Sequence, residues 1–245
     1  MLKKMVLFFC FALFISIGSS CRINVLHGEG PKTTISPEVN VYNAINLSTN
    51  IKTVIVVQPD AKPSITISGY ENIVKHIKTR IENNSLIVYC DLDGSWIIDN
   101  NEAITATLTL PVLQALSLEG APTAEIKGKV VGNEFKLDIS GAGKVTIEDI
   151  SVNLLSADVS GAGKIEINNG IVNNVNYEIS GAGKIEAFKL QADTVYIGLS
   201  GAGKGEITAN KKLNINISGA GSIRYKGHPI ISQDISGVGS IKDFN

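Results

Sequence analysis

The sequence predicts an all-β protein built as a β-solenoid, with coils of about 18–21 residues stacked on one another. Three observations predict it. Ser-Gly-(Ala/Val)-Gly occurs six times, starting at Ser140, Ser160, Ser180, Ser200, Ser218 and Ser236, in steps of 20, 20, 20, 18 and 18 residues. On both sides of each copy, aliphatic residues alternate with others, which is the period of a strand with one buried face. Glycine is abundant (24 residues) and aromatics make up only 6% of the chain, a balance that favours thin strands and turns. One such unit cannot bury its own apolar face, but a stack of them can.

The chain has 245 residues, and its first twenty are expected to form a leader. Residues 1–20 read as a secretory signal peptide: Lys3 and Lys4, an apolar run from Val6 to Ile17, then small Gly18-Ser19-Ser20. The run is too short to span a bilayer comfortably. Ile17-Gly18-Ser19-Ser20-Cys21 resembles a lipobox, although Gly18 stands where a large aliphatic residue is usual. Cys21 is therefore the expected lipidation site, and several acyl chains there would fix the protein to a membrane. Removal of Cys10 with the leader and acylation of Cys21 leave Cys90 without a disulfide partner. The formal charge of −1 falls to about −3 without the leader, which offers no electrostatic attraction to nucleic acid.

Residues 21–36 lack periodicity and contain Gly28, Gly30 and Pro31, so they read as a flexible tether. Residues 37–110 form a β-rich N-terminal part. Val54-Ile55-Val56-Val57, Ile65-Thr66-Ile67 and Leu86-Ile87-Val88-Tyr89 are strand-like, separated by turn signals such as Gln58-Pro59-Asp60. Ile73 to Ile81 fits helix and strand equally, since Ile73, Val74, Ile77 and Ile81 have helical spacing. Residues 111–245 are the repetitive coils. The expected inward pairs are Leu137/Ile139, Ala157/Val159, Tyr177/Ile179, Ile197/Leu199, Ile215/Ile217 and Gln233/Ile235 before each Gly-x-Gly. After it they are Val145/Ile147, Ile165/Ile167, Ile185/Ala187, Gly205/Ile207 and Ile223/Tyr225. Each repeat is thus strand, glycine corner, strand and a variable return. Gly120-Ala121-Pro122 reads as a degenerate first corner. Phe244 or another chain is expected to cap the last coil.

The corners do not carry a nucleotide site. A phosphate loop needs four residues between its glycines and Ser or Thr after Lys, whereas Val145, Ile165, Ile185 and Gly205 follow the lysines. Nor do they suit calcium, because Lys144, Lys164, Lys184 and Lys204 occupy the turn. Stacked lysines about 5 Å apart repel by about 1 kcal/mol per pair in water before screening. Glu166, Glu186 and Glu206 on the same face, with Asp138, Asp158 and Glu178 across the corner, are expected to compensate them. The lysine row is the candidate ligand-facing ladder, with a solvated structural ladder as the favoured alternative. No catalytic constellation, metal site or cofactor motif stands out. His27, His76 and His228 are scattered, and Trp96 is expected in a loop that covers a core end or stacks on a sugar.

Several segments together resemble a known family. Val41-Tyr42-Asn43-Ala44-Ile45 with Val54-Ile55-Val56-Val57-Gln58, Ile65-Thr66-Ile67-Ser68-Gly69-Tyr70, Ile81-Glu82-Asn83-Asn84-Ser85-Leu86 and Leu110-Pro111-Val112-Leu113-Gln114-Ala115-Leu116 precede the glycine corners in an order similar to the head GIN domain family of auto-transporter adhesins. The resemblance covers Val39 to Asn245. It implies a right-handed parallel β-helix-like solenoid on an exported bacterial envelope protein, often a lipoprotein. That family usually has Asp after Gly-x-Gly, where this chain has Lys four times. The expected function is therefore a non-catalytic outer-membrane lipoprotein, surface-exposed or periplasm-facing, that binds a glycan or protein through flat solenoid faces. A polysaccharide-active β-helix enzyme and a structural spacer or homo-oligomeric assembly subunit are the alternatives.

Overall fold

The computed structural model describes residues 24–92, 96–98 and 104–245. The expected signal peptide, Cys21 and Asp93-Gly94-Ser95 lie outside the described residues. Parallel strands stack coil upon coil, confirming the solenoid, and each coil has three faces around a shared core.

The repetitive part begins with β10 (Ala115–Gly120) and β11 (Thr123–Gly141). It continues through β12 (Lys144–Gly161), β13 (Lys164–Ile167), β14 (Gly170–Gly181), β15 (Lys184–Gly201) and β16 (Lys204–Gly219), then β17 (Ser222–Lys226), β18 (Ile230–Ile235) and β19 (Ser240–Asp243). The first face ends at the glycine corner; there Leu137, Ala157, Tyr177, Ile197 and Ile215 stack in register and point inward. The second face follows the corner and buries Val145, Ile165, Ile185 and Ile223, with Gly205 between the last two. The return expected to be variable is itself a third strand ladder, burying Val130, Ile150, Val152, Val172, Leu190 and Ala192. The shortening from 20 to 18 residues falls in this return, where the register shifts between Ala187 and Thr194.

The backbone ladder runs through every corner without a break. Ala162 N–H donates to the Gly141 carbonyl (2.8 Å) and Lys164 N–H to that of Gly143 (2.9 Å), and the same pair recurs coil after coil. The two glycines of each corner serve different ends. Gly161 has φ 123°, and a Cβ there would stand 2.4 Å from the Gly141 carbonyl oxygen. Gly163 needs no unusual backbone angle, but its Cβ would lie 2.6 Å from Ile139 Cγ2 inside the core. Gly120 stacks on Gly141 in register and accepts from Ala142 N–H, so Gly120-Ala121-Pro122 is indeed the first corner.

The N-terminal part consists of β1 (Asn24–Leu26), β2 (Lys32–Ile35), β3 (Ala44–Ser48), β4 (Lys52–Val57), β5 (Ser64–Tyr70), α1 (Glu71–Val74), β6 (Ile77–Glu82), β7 (Ser85–Cys90), β8 (Trp96–Ile98) and β9 (Ile104–Leu110). Its coils do not stack in chain order. β3 and β4 lie between β7 and β9 on one side and β10 and β11 on the other. Beyond β9 and β7 the pairing turns antiparallel through β5 and β6, and α1 buries Ile73 and Val74 over the core opening. The ambiguous Ile73–Ile81 segment is thus one helical turn followed by a strand.

Several expectations are corrected. Residues 32–35, assigned to the flexible tether, form β2 and pair antiparallel with β5, with Thr34 and Ser68 hydroxyls hydrogen-bonded at 2.9 Å. Trp96 lies in a strand paired with β1, not in a loop. Gln233 and Ile235 are exposed because, among the described residues, β18 pairs with β16 and no further coil stacks on it. Phe244 does not cover the core end: it is 50% exposed and stacks on Phe188 on the outside, ring centroids 5.5 Å apart. Asn245 closes that edge differently, its side-chain amide accepting from Gly227 N–H (2.8 Å) and donating to Gly227 C=O (2.9 Å) as a neighbouring peptide would.

Two stability predictions follow from these contacts. Gly161→Ala should cost about 2 kcal/mol or more by denaturant melting, since it adds strain and a clash, while Ala162→Ser at the exposed corner position should be near neutral. Tyr177, 1% exposed, holds a hydroxyl with no hydrogen-bond partner. Tyr177→Phe removes that desolvated group and should raise stability by about 1 kcal/mol in the same assay.

Candidate functional site

In-register stacking turns each outward position into a column of side chains about 4.8 Å apart. The lysine column is Lys144, Lys164, Lys184 and Lys204, with Thr123 before it and Ser222 after. Its lysines reach sideways to the neighbouring column of Glu166, Glu186 and Glu206. Glu166 lies 3.4 Å from Lys144 and 3.5 Å from Lys164, and Glu186 lies 2.6 Å from Lys164 and also pairs with Lys184. Hydrogen bonds from Lys164 and Lys184 hold the Glu186 carboxyl below its ordinary value, and Glu186 in turn raises Lys164. Glu206 instead takes Arg224, at 3.3 Å, and among the described residues Lys204 has no ion-pair partner. Three of the four predicted ligand-facing lysines are thus engaged within the ladder.

The second acidic column behaves differently from expectation. Asp138, Asp158 and Glu178 stand in register on the first face, and among the described residues none of them has an ion-pair partner. The corner turns this face away from the lysines, so the two columns diverge. Partial burial and the charge of Asp158 push the Asp138 and Glu178 carboxyls above their ordinary values, with the Tyr196 hydroxyl opposing the rise at Glu178. The next position in this column is Gly198, followed by Asn216. The missing side chain leaves a notch of about 140 Å³ lined by Glu178, Tyr196, Ser200, Asn216 and Ser218. No motif in the sequence marked it; its only signal was one glycine in a column of acidic and amide residues.

Other columns are structural. Asn153 donates to Asn133 (2.8 Å) and Asn173 to Asn153 (3.0 Å), an amide ladder at the edge of the return face. Lys211 meets Asp193 at 2.8 Å in the coils that follow. The histidines do not converge: His27 and His228 are exposed and His76 is half-buried on the N-terminal cap. Cys90 is half-buried, and burial pushes its thiol up, away from the reactive thiolate. Among the described residues no group of His, Cys, Asp or Glu is arranged to hold a metal ion.

The model of the family described as "Putative auto-transporter adhesin, head GIN domain" matches residues 41–229. No curated protein matches the chain. Among solved structures, a "putative adhesin" from Bacteroides fragilis aligns at TM-score 0.83 and 26% identity, over 89% of this chain and all of that one. A "putative lipid binding protein" from Parabacteroides distasonis aligns at 0.74 and 23%, over 91% of this chain and all of its own. A "putative adhesin" from Parabacteroides merdae aligns at 0.71 and 21%, with the same coverage.

The two acidic columns should respond to pH in opposite directions. Asp138 and Glu178, raised when folded, favour the folded state below the ordinary carboxyl range and lose that contribution as pH rises through their folded values. Glu186, lowered when folded, contributes above that range and loses it as pH falls. Asp158→Asn should therefore raise the neutral-pH unfolding free energy slightly, by about a few tenths of a kcal/mol at low salt. The gain should vanish near pH 4 and in molar salt; a gain independent of both would refute the repulsion.

Proposed function

Because the chain belongs to the head GIN domain family of auto-transporter adhesins, we propose that it is a non-catalytic binding module of the bacterial cell envelope, held in the outer membrane by acyl chains on Cys21. The observation that carries this reading is the uniformity of the coils. From Thr123 to Gly219 each coil repeats the same three faces, and charged and amide side chains are confined to outward columns. Such faces present a long, rigid, laterally repeating surface, which suits attachment to an extended polymer or a protein face. A polysaccharide-active enzyme needs a walled groove with converging acid and base groups. The described corners are short and alike, which argues for binding without turnover.

The leader supports the anchor. Lys3 and Lys4, the Val6–Ile17 run and Ser19-Ser20-Cys21 supply charge, apolar stretch and small residues in the order that export and lipid transfer require. Arg22-Ile23-Asn24-Val25 carry no acidic tract, which leaves both leaflet orientations consistent with the reading.

Two measurements test it. Cys21→Ser should move the protein from the membrane fraction to the soluble envelope fraction, as acyl chains supply the only strong membrane affinity in the proposal. The purified protein, incubated with envelope and host polysaccharides, should bind selectively and release no new reducing ends; turnover of any of them would sink the binding-module reading.

A further inference from the structure

We propose that the notch at Gly198 is a subsite for one uncharged sugar residue of a glycan, an inference that rests on the reading of the chain as a binding module. The notch is the single break in an otherwise filled column on the first face. In register, that column carries Asp138, Asp158, Glu178, Gly198, Asn216 and Asp234. Beside it runs a column of Ser156, Asn176, Tyr196, Asn214 and Ser232, in which Tyr196 is the one aromatic residue. The two exceptions fall in the same coil, two residues apart. The deletion therefore opens a space next to the only ring in these two columns.

The chemistry around that space fits a hydroxyl-rich ring. Tyr196, 36% exposed, offers an apolar surface for the C–H face of a pyranose and a phenol at its rim. The Glu178 carboxylate already leans into the gap: an added Cβ on Gly198 would sit 2.1 Å from its Oε2. A carboxylate accepts hydrogen bonds from two neighbouring hydroxyls at once, while Asn216 both donates and accepts and the Ser200 and Ser218 hydroxyls do either. Sugar hydroxyls need this mixture, since each is both donor and acceptor. A notch of about 140 Å³, open to solvent, seats one face of a single ring and not several units, so a longer glycan would continue outside it, along the in-register column of Ser140, Ser160, Ser180, Ser200 and Ser218.

Charge selects among sugars. Asp158 stands one coil below Glu178 and among the described residues has no cation partner, so sialic acids, uronates and sulfated sugars would meet a repulsive field. A metal-bridged mode is disfavoured because Glu178 is the one carboxylate lining the notch.

The test uses the full-length protein in detergent on an array of neutral, sialylated, uronate-bearing and sulfated glycans, with wild type, Gly198→Asn and Tyr196→Ala compared. Asn fits the backbone at this position, as Asn216 in the next coil shows, and its side chain displaces the flexible Glu178 carboxylate and occupies the notch without adding charge. Wild type should bind a subset of neutral glycans. Both variants should lose at least about tenfold in affinity while still melting cooperatively well above the assay temperature. Should Gly198→Asn fail to fold, Tyr196→Ala decides alone. Glycan binding that survives both substitutions, or is confined to anionic glycans, overturns the notch while leaving the binding-module reading in place. Absence of binding to every glycan also overturns the notch, and adhesion to a protein partner would then carry that reading. Turnover of a bound glycan refutes the binding-module reading itself.

Discussion

The constraint on which the rest of this structure depends is the unbroken parallel hydrogen-bond ladder through the corners. Strands usually leave a sheet when the chain turns. Here Ala162 and Lys164 donate to the carbonyls of Gly141 and Gly143 at the turn itself, so each coil lies directly on the last. That demand sets the corner sequence. The first glycine must avoid the carbonyl of the glycine beneath it, and the second must make room for Ile139 and its equivalents. It also sets the core, because in-register stacking places each inward side chain on its counterpart one coil away. The core can then adjust locally, as at Gly205, where Ile197 and Ile223 Cδ1 atoms occupy the space a side chain would take. The same stacking decides the surface, since every outward residue must tolerate a near-copy of itself about 4.8 Å away. Amides bond along the stack, lysines escape sideways to glutamates, and the aspartate column stays strained by its own charge.

A stack with an open end exposes both an apolar core and unpaired strand edges. At the N-terminal side the chain solves this by reversing direction. β5 and β6 run antiparallel to the coils, α1 places Ile73 and Val74 over the core, and β2 adds an outer strand rich in threonine. Lys78, Arg80 and Glu82 alternate along β6, which discourages further pairing on that edge. Arg80 also pairs with Glu82 at 2.8 Å and lies over the Tyr89 ring. Around Phe244 a different arrangement holds: Arg224 and Lys226 sit over the stacked Phe244 and Phe188 rings, outside the core.

What the sequence revealed follows from what repeats in it. The glycine corners and their flanking aliphatics recur at fixed spacing, so Leu137, Val145, Ile165 and their neighbours could be assigned inward positions before any coordinates. The return strand was not legible, because it contributes only two inward residues per coil and one of them is Gly170 in its coil. The order of the first coils was hidden for another reason. Placing β3 between β7 and β10, and β4 between β9 and β11, is a choice of long-range pairing, and alternation within a strand says nothing about its neighbour. Burial of a residue such as Ile235 also depends on whether a further coil lies above it, which its own pattern does not encode. Of the site, the lysine–glutamate ladder was readable from a spacing of two residues on one face. The notch was not, since its signal is the absence of a side chain, visible only once the columns are aligned in space.

The fold and the surface chemistry of such a solenoid are therefore nearly independent. Inward positions ask only for aliphatic residues of compatible volume, and corners ask for glycine; outward positions contribute little to stability beyond avoiding like charges. Distant relatives can share the architecture while their outward columns diverge freely. Binding specificity in this scaffold must then come from departures from the ladder, because a perfectly regular column presents the same chemistry at every coil and cannot define one site. Gly198 is such a departure. It removes a side chain where its neighbours carry Glu178 and Asn216, it does so beside Tyr196, and the backbone register around it is undisturbed. A deletion at that point costs the core nothing, and it converts one coil of an otherwise repeating face into a unique one.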